Sequence, residues 1–253
     1  MLRAQRALAL AVALALAMPA APADPPSAAS LLHRLQDALG GAERIAAVTD
    51  FDQTVRGTSF DGNTGQRIGE VRKRVRWIKP SHLRLDQEGP GDTFVLYFDG
   101  TGGWEILPDG SVKDLEGGEL RFARTYLRGL FLRKMLADRD PAYAISSPAA
   151  NVLRITPQGD EAGRIDLTLD PGSWLPVAES SVSLADPDHP VSSETRFAQW
   201  TSVQGIRFAQ RFTKFHGGAH VADAVIESTR LDSGLRIADL RAKPPDGKPV
   251  MGR

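Results

Sequence analysis

Residues 69–86 run Gly69-Glu-Val-Arg-Lys-Arg-Val-Arg-Trp77, then Ile78-Lys-Pro-Ser-His82, then Leu83-Arg-Leu-Asp86. Val71, Lys73, Val75 and Trp77 alternate with Arg72, Arg74 and Arg76, a period of two that belongs to a β-strand. One face of that strand is mainly apolar and the other carries three arginines. Pro80 stops it, and Leu83 and Leu85 then alternate with Arg84 and Asp86 in a second strand. A solvated outer face is the expected setting for Arg72, Arg74 and Arg76, because charge there also blunts edge pairing. Contact with anionic headgroups or an acidic partner is the sharper alternative.

The same period spreads in both directions. It begins at Phe51, and beyond the hairpin Thr93 to Phe98 is apolar on both faces, as expected of a strand covered on both sides. Alternation alone leaves open whether Val95 and Tyr97, or Phe94, Leu96 and Phe98, look inward. Asp99-Gly100 turns the chain, Trp104 to Leu107 returns, and Asp109-Gly110 turns again. The second half reads as strands at 142–146, 152–156, 164–169, 175–184, 192–201, 206–215 and 220–231. Groups such as Asp170-Pro171-Gly172, Gln204-Gly205 and Gly217-Gly218 separate them. Short strands with tight turns make an antiparallel meander, since parallel strands need long crossovers.

Two stretches follow helical spacing instead. Ser30 can cap a helix carrying Leu31, Leu32, Leu35, Ala38 and Leu39, which ends at Gly40-Gly41; Ile45 to Val48 adds a further turn. Between Glu119 and Leu136 a wide apolar stripe includes Leu120, Ala123, Leu127, Leu130, Phe131 and Met135. Arg121, Arg124 and Arg128 occupy the remaining face, where solvent is the expected neighbour and a membrane surface the alternative. About a dozen strands cannot stay flat. The expected fold is therefore mainly β (α+β): a single curled antiparallel sheet with amphipathic helices filling its concave face.

The chain has 253 residues, with Lys+Arg 31, Asp+Glu 31 and no cysteine. Balanced charge argues against a polyanionic partner, so no nucleic acid is expected. Arg3 and Arg6, the apolar run Ala7 to Met18 and the small-x-small site Ala21-Pro22-Ala23 mark residues 1–23 as a cleaved signal peptide. The absence of cysteine excludes thiolate metal sites and a lipidated cleavage site, so a soluble periplasmic protein is expected, as a monomer. Residues 24–242 are read as one domain. The stretch from Lys243 to Arg253 opens Lys-Pro-Pro-Asp-Gly-Lys-Pro and is read as a flexible tail.

Four stretches carry a family resemblance: Leu39-Gly-Gly-Ala-Glu-Arg-Ile-Ala-Ala-Val48, Ile78-Lys-Pro-Ser-His-Leu-Arg-Leu85, Tyr97-Phe-Asp-Gly-Thr-Gly-Gly-Trp104 and Leu167-Thr-Leu-Asp-Pro-Gly-Ser-Trp-Leu-Pro176. In this order they resemble the LolA/LolB-like superfamily of periplasmic lipoprotein carriers and outer-membrane lipoprotein-sorting proteins. The resemblance implies an incomplete β-barrel around helices, with a hydrophobic cavity for acyl chains, and hence a lipid or a lipidated protein as partner with transient membrane contact. It transfers no individual functional residue. The candidate cavity residues are Val75, Trp77, Leu83, Leu85, Trp104, Leu127, Leu130 and Phe131, because acyl chains need apolar area and no directional bonds; ordinary core packing is the competing reading of each.

His216-Gly-Gly-Ala-His220, with Asp223 nearby, is the best metal candidate, but two histidines flanking a turn lack the further ligand a zinc site needs. No nucleophile elbow, H-E-x-x-H, phosphate loop or dinucleotide fingerprint is present, so neither an enzyme nor a cofactor is expected. The leading expectation is a soluble periplasmic carrier or chaperone. The alternative is an interaction module that uses the same fold as a scaffold for envelope proteins, with a hydrolase third.

Overall fold

A computed structural model describes residues 26–90, 93–159, 163–183 and 191–251. The leader read at residues 1–23 lies outside the described residues. Two helices, α1 (Ala28–Leu39) and α2 (Ala42–Ala47), precede six strands: β1 (Asp50–Phe60), β2 (Arg67–Ile78), β3 (His82–Glu88), β4 (Phe94–Phe98), β5 (Gly103–Ile106) and β6 (Val112–Asp114). Then come α3 (Gly117–Arg128) and α4 (Phe131–Lys134), followed by seven strands. These are β7 (Tyr143–Ala149), β8 (Val152–Pro157), β9 (Ile165–Leu169), β10 (Pro176–Ser183), β11 (Val191–Val203), β12 (Ile206–His216) and β13 (Ala219–Leu231), before a last short helix, α5 (Ile237–Arg241).

All thirteen described strands join one antiparallel sheet, ordered β6-β5-β4-β3-β2-β1-β13-β12-β11-β10-β9-β8-β7. Two meanders meet where β1 pairs with β13. The chain runs outward to one edge at β6, crosses through α3 and α4, and starts again at the other edge with β7. The edges β6 and β7 do not pair, so the barrel is incomplete, and the crossing helices pack against its concave side.

Register shows which side chains look inward. Phe51, Trp77, Leu83 and Phe98 stand in one row across β1 to β4, and Val75, Leu85 and Leu96 in another. Both rows join Leu31, Leu32, Leu35 and Leu39 of α1 in the main core. The open question about Thr93 to Phe98 is thereby answered: Phe94, Leu96 and Phe98 face the core, while Val95 and Tyr97 belong to a second cluster on the outer face. Each fully buried side chain of this size contributes about 1.5–3 kcal/mol.

The helices differ in detail from expectation. Ser27, not Ser30, caps α1, its hydroxyl accepting the Ser30 N–H at 3.2 Å. Gly40 ends α1 at φ 118°, where an added Cβ would lie 2.0 Å from the Gly205 carbonyl oxygen. That close approach seats the α1–α2 corner on the β11–β12 turn, and only glycine fits it. The stripe from Glu119 to Leu136 is two helices, because Gly129 ends α3 and Leu130 adopts an extended conformation before α4. Neither β6 nor α5 was foreseen, each being too short to show a period.

The outer face of β2 and β3 is the largest departure. Arg74 and Arg76, expected in solvent, are nearly buried with Arg84. Arg84 grips Asp86 through Nε and Nη2, each at 3.0 Å, and Arg76 Nη2 donates to the same carboxylate. Arg74 holds Asp52 through two bonds of 2.8 Å, and Arg230 adds a third of 2.9 Å. The physical reason is a cover. Leu240 of α5 packs with Val95, Tyr97, Trp104 and Ile106, and the carbonyls of Leu240 and Ala242 accept from Arg84. The stretch read as a flexible tail contributes contacts as well: the Val250 N–H donates to Asp86 at 2.9 Å, the Val250 carbonyl accepts from Arg74, and Met251 is buried.

Candidate ligand-binding site

The concave face collects seven of the eight candidate residues. Val75, Trp77, Leu83, Leu85, Leu127 and Leu130 are buried in the main core, and Phe131 packs partly buried against it. Trp104 is not among them. It pairs with Tyr97 in register, so alternation turns it to the outer face, while its neighbour Gly103 stands opposite the inward Phe98. There its ring lies 5.9 Å from that of Tyr97 and 5.7 Å from Lys243 Nζ.

Open space among the helices lies elsewhere. A cavity of about 190 Å³ sits between the helices and β7–β10, lined by Thr125, Arg128 and Lys134 together with Tyr143, Ile155 and Ile165. None of the eight candidates lines it. Lys134 is buried at its edge and donates to Glu179 of β10. Tyr143 closes the floor, donating its hydroxyl to the Arg128 carbonyl at 2.9 Å.

Apart from this space an aromatic line follows β11 and β12. Phe131 of α4 lies 5.6 Å from Phe208 and 6.3 Å from Trp200, which in turn lies 6.1 Å from Phe197. Phe197 stands opposite Phe212 in register. Phe122 of α3 is 47% exposed, with its ring 5.9 Å from Tyr126. Sequence reading missed Phe197, Trp200, Phe208 and Phe212 as a group. Aromatics three or four positions apart on neighbouring strands converge only once the register is known.

Cations stand among these aromatics. Lys73 follows Val75 and Trp77 on the inner face of β2, its Nζ 4.5 Å from the centre of the Tyr126 ring. Lys214 follows Phe208 and Phe212 on the inner face of β12. Crowding by the protein around it, then the charges of Lys73 and Lys134, pulls its pKa below the ordinary lysine value, although the residue as a whole stays exposed to solvent. The Tyr126 phenol is pushed up to about 12 by burial and stays neutral.

The histidine pair does not form a metal centre. Around the Gly217-Gly218 turn His216 pairs with Ala219 and His220 with Phe215, so the two imidazoles leave opposite faces. His220 sits by Phe60, ring centres 4.5 Å apart, with Asp223 at 3.1 Å. Among the described residues no group of three potential ligands could hold a metal ion, and no helix is long and apolar enough to cross a membrane.

No protein-family profile matches the sequence, and no curated protein matches it either. Solved structures do. An outer membrane lipoprotein-sorting protein domain from Vibrio parahaemolyticus superposes with a TM-score of 0.53 at 14% identity, over 84% of this chain and 97% of that one. A LolA superfamily protein from Nitrosomonas europaea gives 0.55 at 12% identity, over 85% and 97%. A DUF1329 family protein from Desulfovibrio piger gives 0.53 at 12% identity, over 81% and 95%. At such identities the likeness is one of fold, and it agrees with the unclosed sheet and its internal helices: the chain has a LolA/LolB-like fold.

Proposed function

We propose that this protein is a periplasmic carrier or chaperone that takes an acyl chain, of a lipid or of a lipidated protein, into the concave side of its half-barrel. The observation that carries the reading is the aromatic line from Phe131 through Trp200 and Phe197 to Phe212, on a sheet whose other strands and helices enclose a cavity. A surface of this kind offers area and dispersion contacts without directional bonds, which suits a flexible hydrocarbon.

The cavity of about 190 Å³ is smaller than the roughly 300–1,000 Å³ of ordinary ligand pockets. Loading therefore involves displacement of α3 and α4. The break at Gly129 and the single turn of α4 make that segment the mobile element. Val75, Trp77, Leu83, Leu85, Leu127 and Leu130 form the floor against which the helices pack, and Phe131 is the side chain that the ligand meets first.

The test is native mass spectrometry of gently purified protein together with displacement of an uncharged lipophilic fluorophore. Co-purified lipid, or saturable probe binding weakened by Phe131→Ala and Trp200→Ala, is the expected result. No bound lipid and no saturable binding would overturn the proposal and leave a scaffold for protein partners as the better reading.

A further inference from the structure

We propose that α3 docks the protein on a bilayer containing anionic phospholipid, with Arg121 and Arg124 on the headgroup phosphates and Phe122 dipping below them. This rests on the carrier reading above and says where such a carrier meets its lipid source.

The helix sorts its side chains by direction. Ala123 and Leu127 are buried, and Leu120 and Tyr126 pack against the same core. The opposite side carries two rows at helical spacing, Arg121, Arg124 and Arg128 in one and Phe122, Thr125 and Gly129 in the other. Arg121, Phe122, Arg124 and Thr125 are exposed. Neither Arg121 nor Arg124 has a hydrogen bond or ion pair among the described residues, so both guanidiniums keep their donors for an outside partner. Glu119, the one acid within the helix, points away from both rows and is held by Lys113 at 2.8 Å; Asp114 and Glu116 stand before the first turn.

The make-up of this exposed side selects its occupant. Arginines with an aromatic next to them characterise a helix lying in a membrane interface. Phosphates match the guanidinium fork, and the long arginine stem keeps the charge at headgroup depth as the helix settles. An acidic protein would answer the arginines but not Phe122, which is 47% exposed among them; a bilayer answers both, with hydrocarbon just under the phosphates. Each arginine near an anionic surface is worth about fivefold in partition. The attachment is therefore weak and reversible, as a carrier requires.

Position ties docking to the cavity. Thr125 and Gly129 line it together with Val182 of β10, and all three are exposed, so the space reaches the surface beside α3. Phe122 lies one turn along the same row. A bilayer seated here lies against that opening, and a chain passing between the two avoids water.

The test is flotation of the full protein with vesicles of phosphatidylcholine alone and of phosphatidylcholine with phosphatidylglycerol, at low and high salt. Wild type is expected to bind the anionic vesicles and to leave them as salt rises. Arg121→Gln with Arg124→Gln should lower the partition at least about tenfold, Phe122→Ser should lower it about fivefold, and Arg207→Gln, exposed on β12, should change nothing. Because the chain has no cysteine, Phe122→Cys takes a single polarity-sensitive fluorophore. Its emission should shift to the blue on anionic vesicles, while the same label on Ile68→Cys, a position 53% exposed on β2, should not shift. Absence from anionic vesicles, binding that the double arginine variant keeps, or a label at position 122 that stays in water overturns the proposal. The last of these, with poly-glutamate displacing the vesicles, favours an acidic protein partner instead. Vesicle binding without uptake of the lipophilic fluorophore leaves the docking side standing and overturns the carrier reading; uptake without vesicle binding does the reverse.

Discussion

The two halves of the sheet treat their outer faces differently. In β8 and β9 burial alternates strictly: Leu153, Ile155, Ile165, Leu167 and Leu169 point into the core, and the residues between them stay partly open. In β3 and β4 it does not alternate, and Leu83, Arg84, Leu85 and Asp86 are buried in succession, as are Val95 to Phe98. The first half-sheet is covered on one side, the second on both. Where α5 and the chain beyond it cover an apolar outer face, the result is an ordinary second core. Where they cover arginines, the sheet needs aspartates to match, and Asp52 and Asp86 stand within reach on neighbouring strands. Buried charge is tolerated here because nearly every lone pair and donor is used; Arg76 Nε is an unpaired exception.

The contrast breaks most visibly at Asp86. Asp86→Ala leaves Arg76 and Arg84 buried without their shared anion, and a loss of about 3–5 kcal/mol is expected in urea unfolding. A loss below about 1 kcal/mol would mean that water enters under the cover. Acid probes the same network. Burial alone would raise the Asp52 and Asp86 carboxyls, but the hydrogen bonds and charges of Arg74, and of Arg84 and Arg76, outweigh it and hold both below the ordinary carboxylate value. A folded pKa below the unfolded one stabilises above the unfolded value, about 4, and that contribution is lost as pH falls through the lower folded values. Unfolding followed against pH should show a steep loss below about pH 4 in wild type and a shallower one in Asp86→Asn.

A smaller effect tests the cover itself. Deleting residues 243–253 removes the Val250 bonds to Asp86 and Arg74 and the burial of Met251, and about 1–3 kcal/mol is expected. Hydrogen exchange should quicken at Arg74 to Arg76 and at Arg84 to Asp86 but not in β8. The smallest effect belongs to the other half-sheet. Arg154 and Asp166 form a bidentate pair with two bonds of 2.7 Å on the open outer face, yet Asp166→Ala should cost less than about 1 kcal/mol, because water screens the pair and replaces the lost partner.

Much of this was legible in residue order. The period-two runs became strands within a few residues, the turn groups fell between them, and the doubly apolar Thr93 to Phe98 marked the part of the sheet with cover on both sides. The site was less legible. The candidates other than Trp104 share the inner face, but the cavity between the helices and β7–β10 is lined by other residues, and the aromatic row along β11 and β12 went unseen. Trp104 was misplaced because one residue of register decides the face, and Gly103 before it carries no side chain to reveal the phase.

Local chemistry therefore determined the elements: alternation made strands, glycine at a left-handed corner ended α1, and the wide stripe made α3 and α4. It also determined that one sheet of this many strands must curl. The tertiary structure alone decided what each face meets. The arginines of Gly69 to Trp77 have the same alternation whether they face water or the end of the chain, because periodicity records which residues share a side and says nothing of what lies across from it. Only the packing of Leu240 and Val250, more than a hundred and fifty residues away in sequence, turned that charged face from a solvated surface into the buried half of a two-sided sheet.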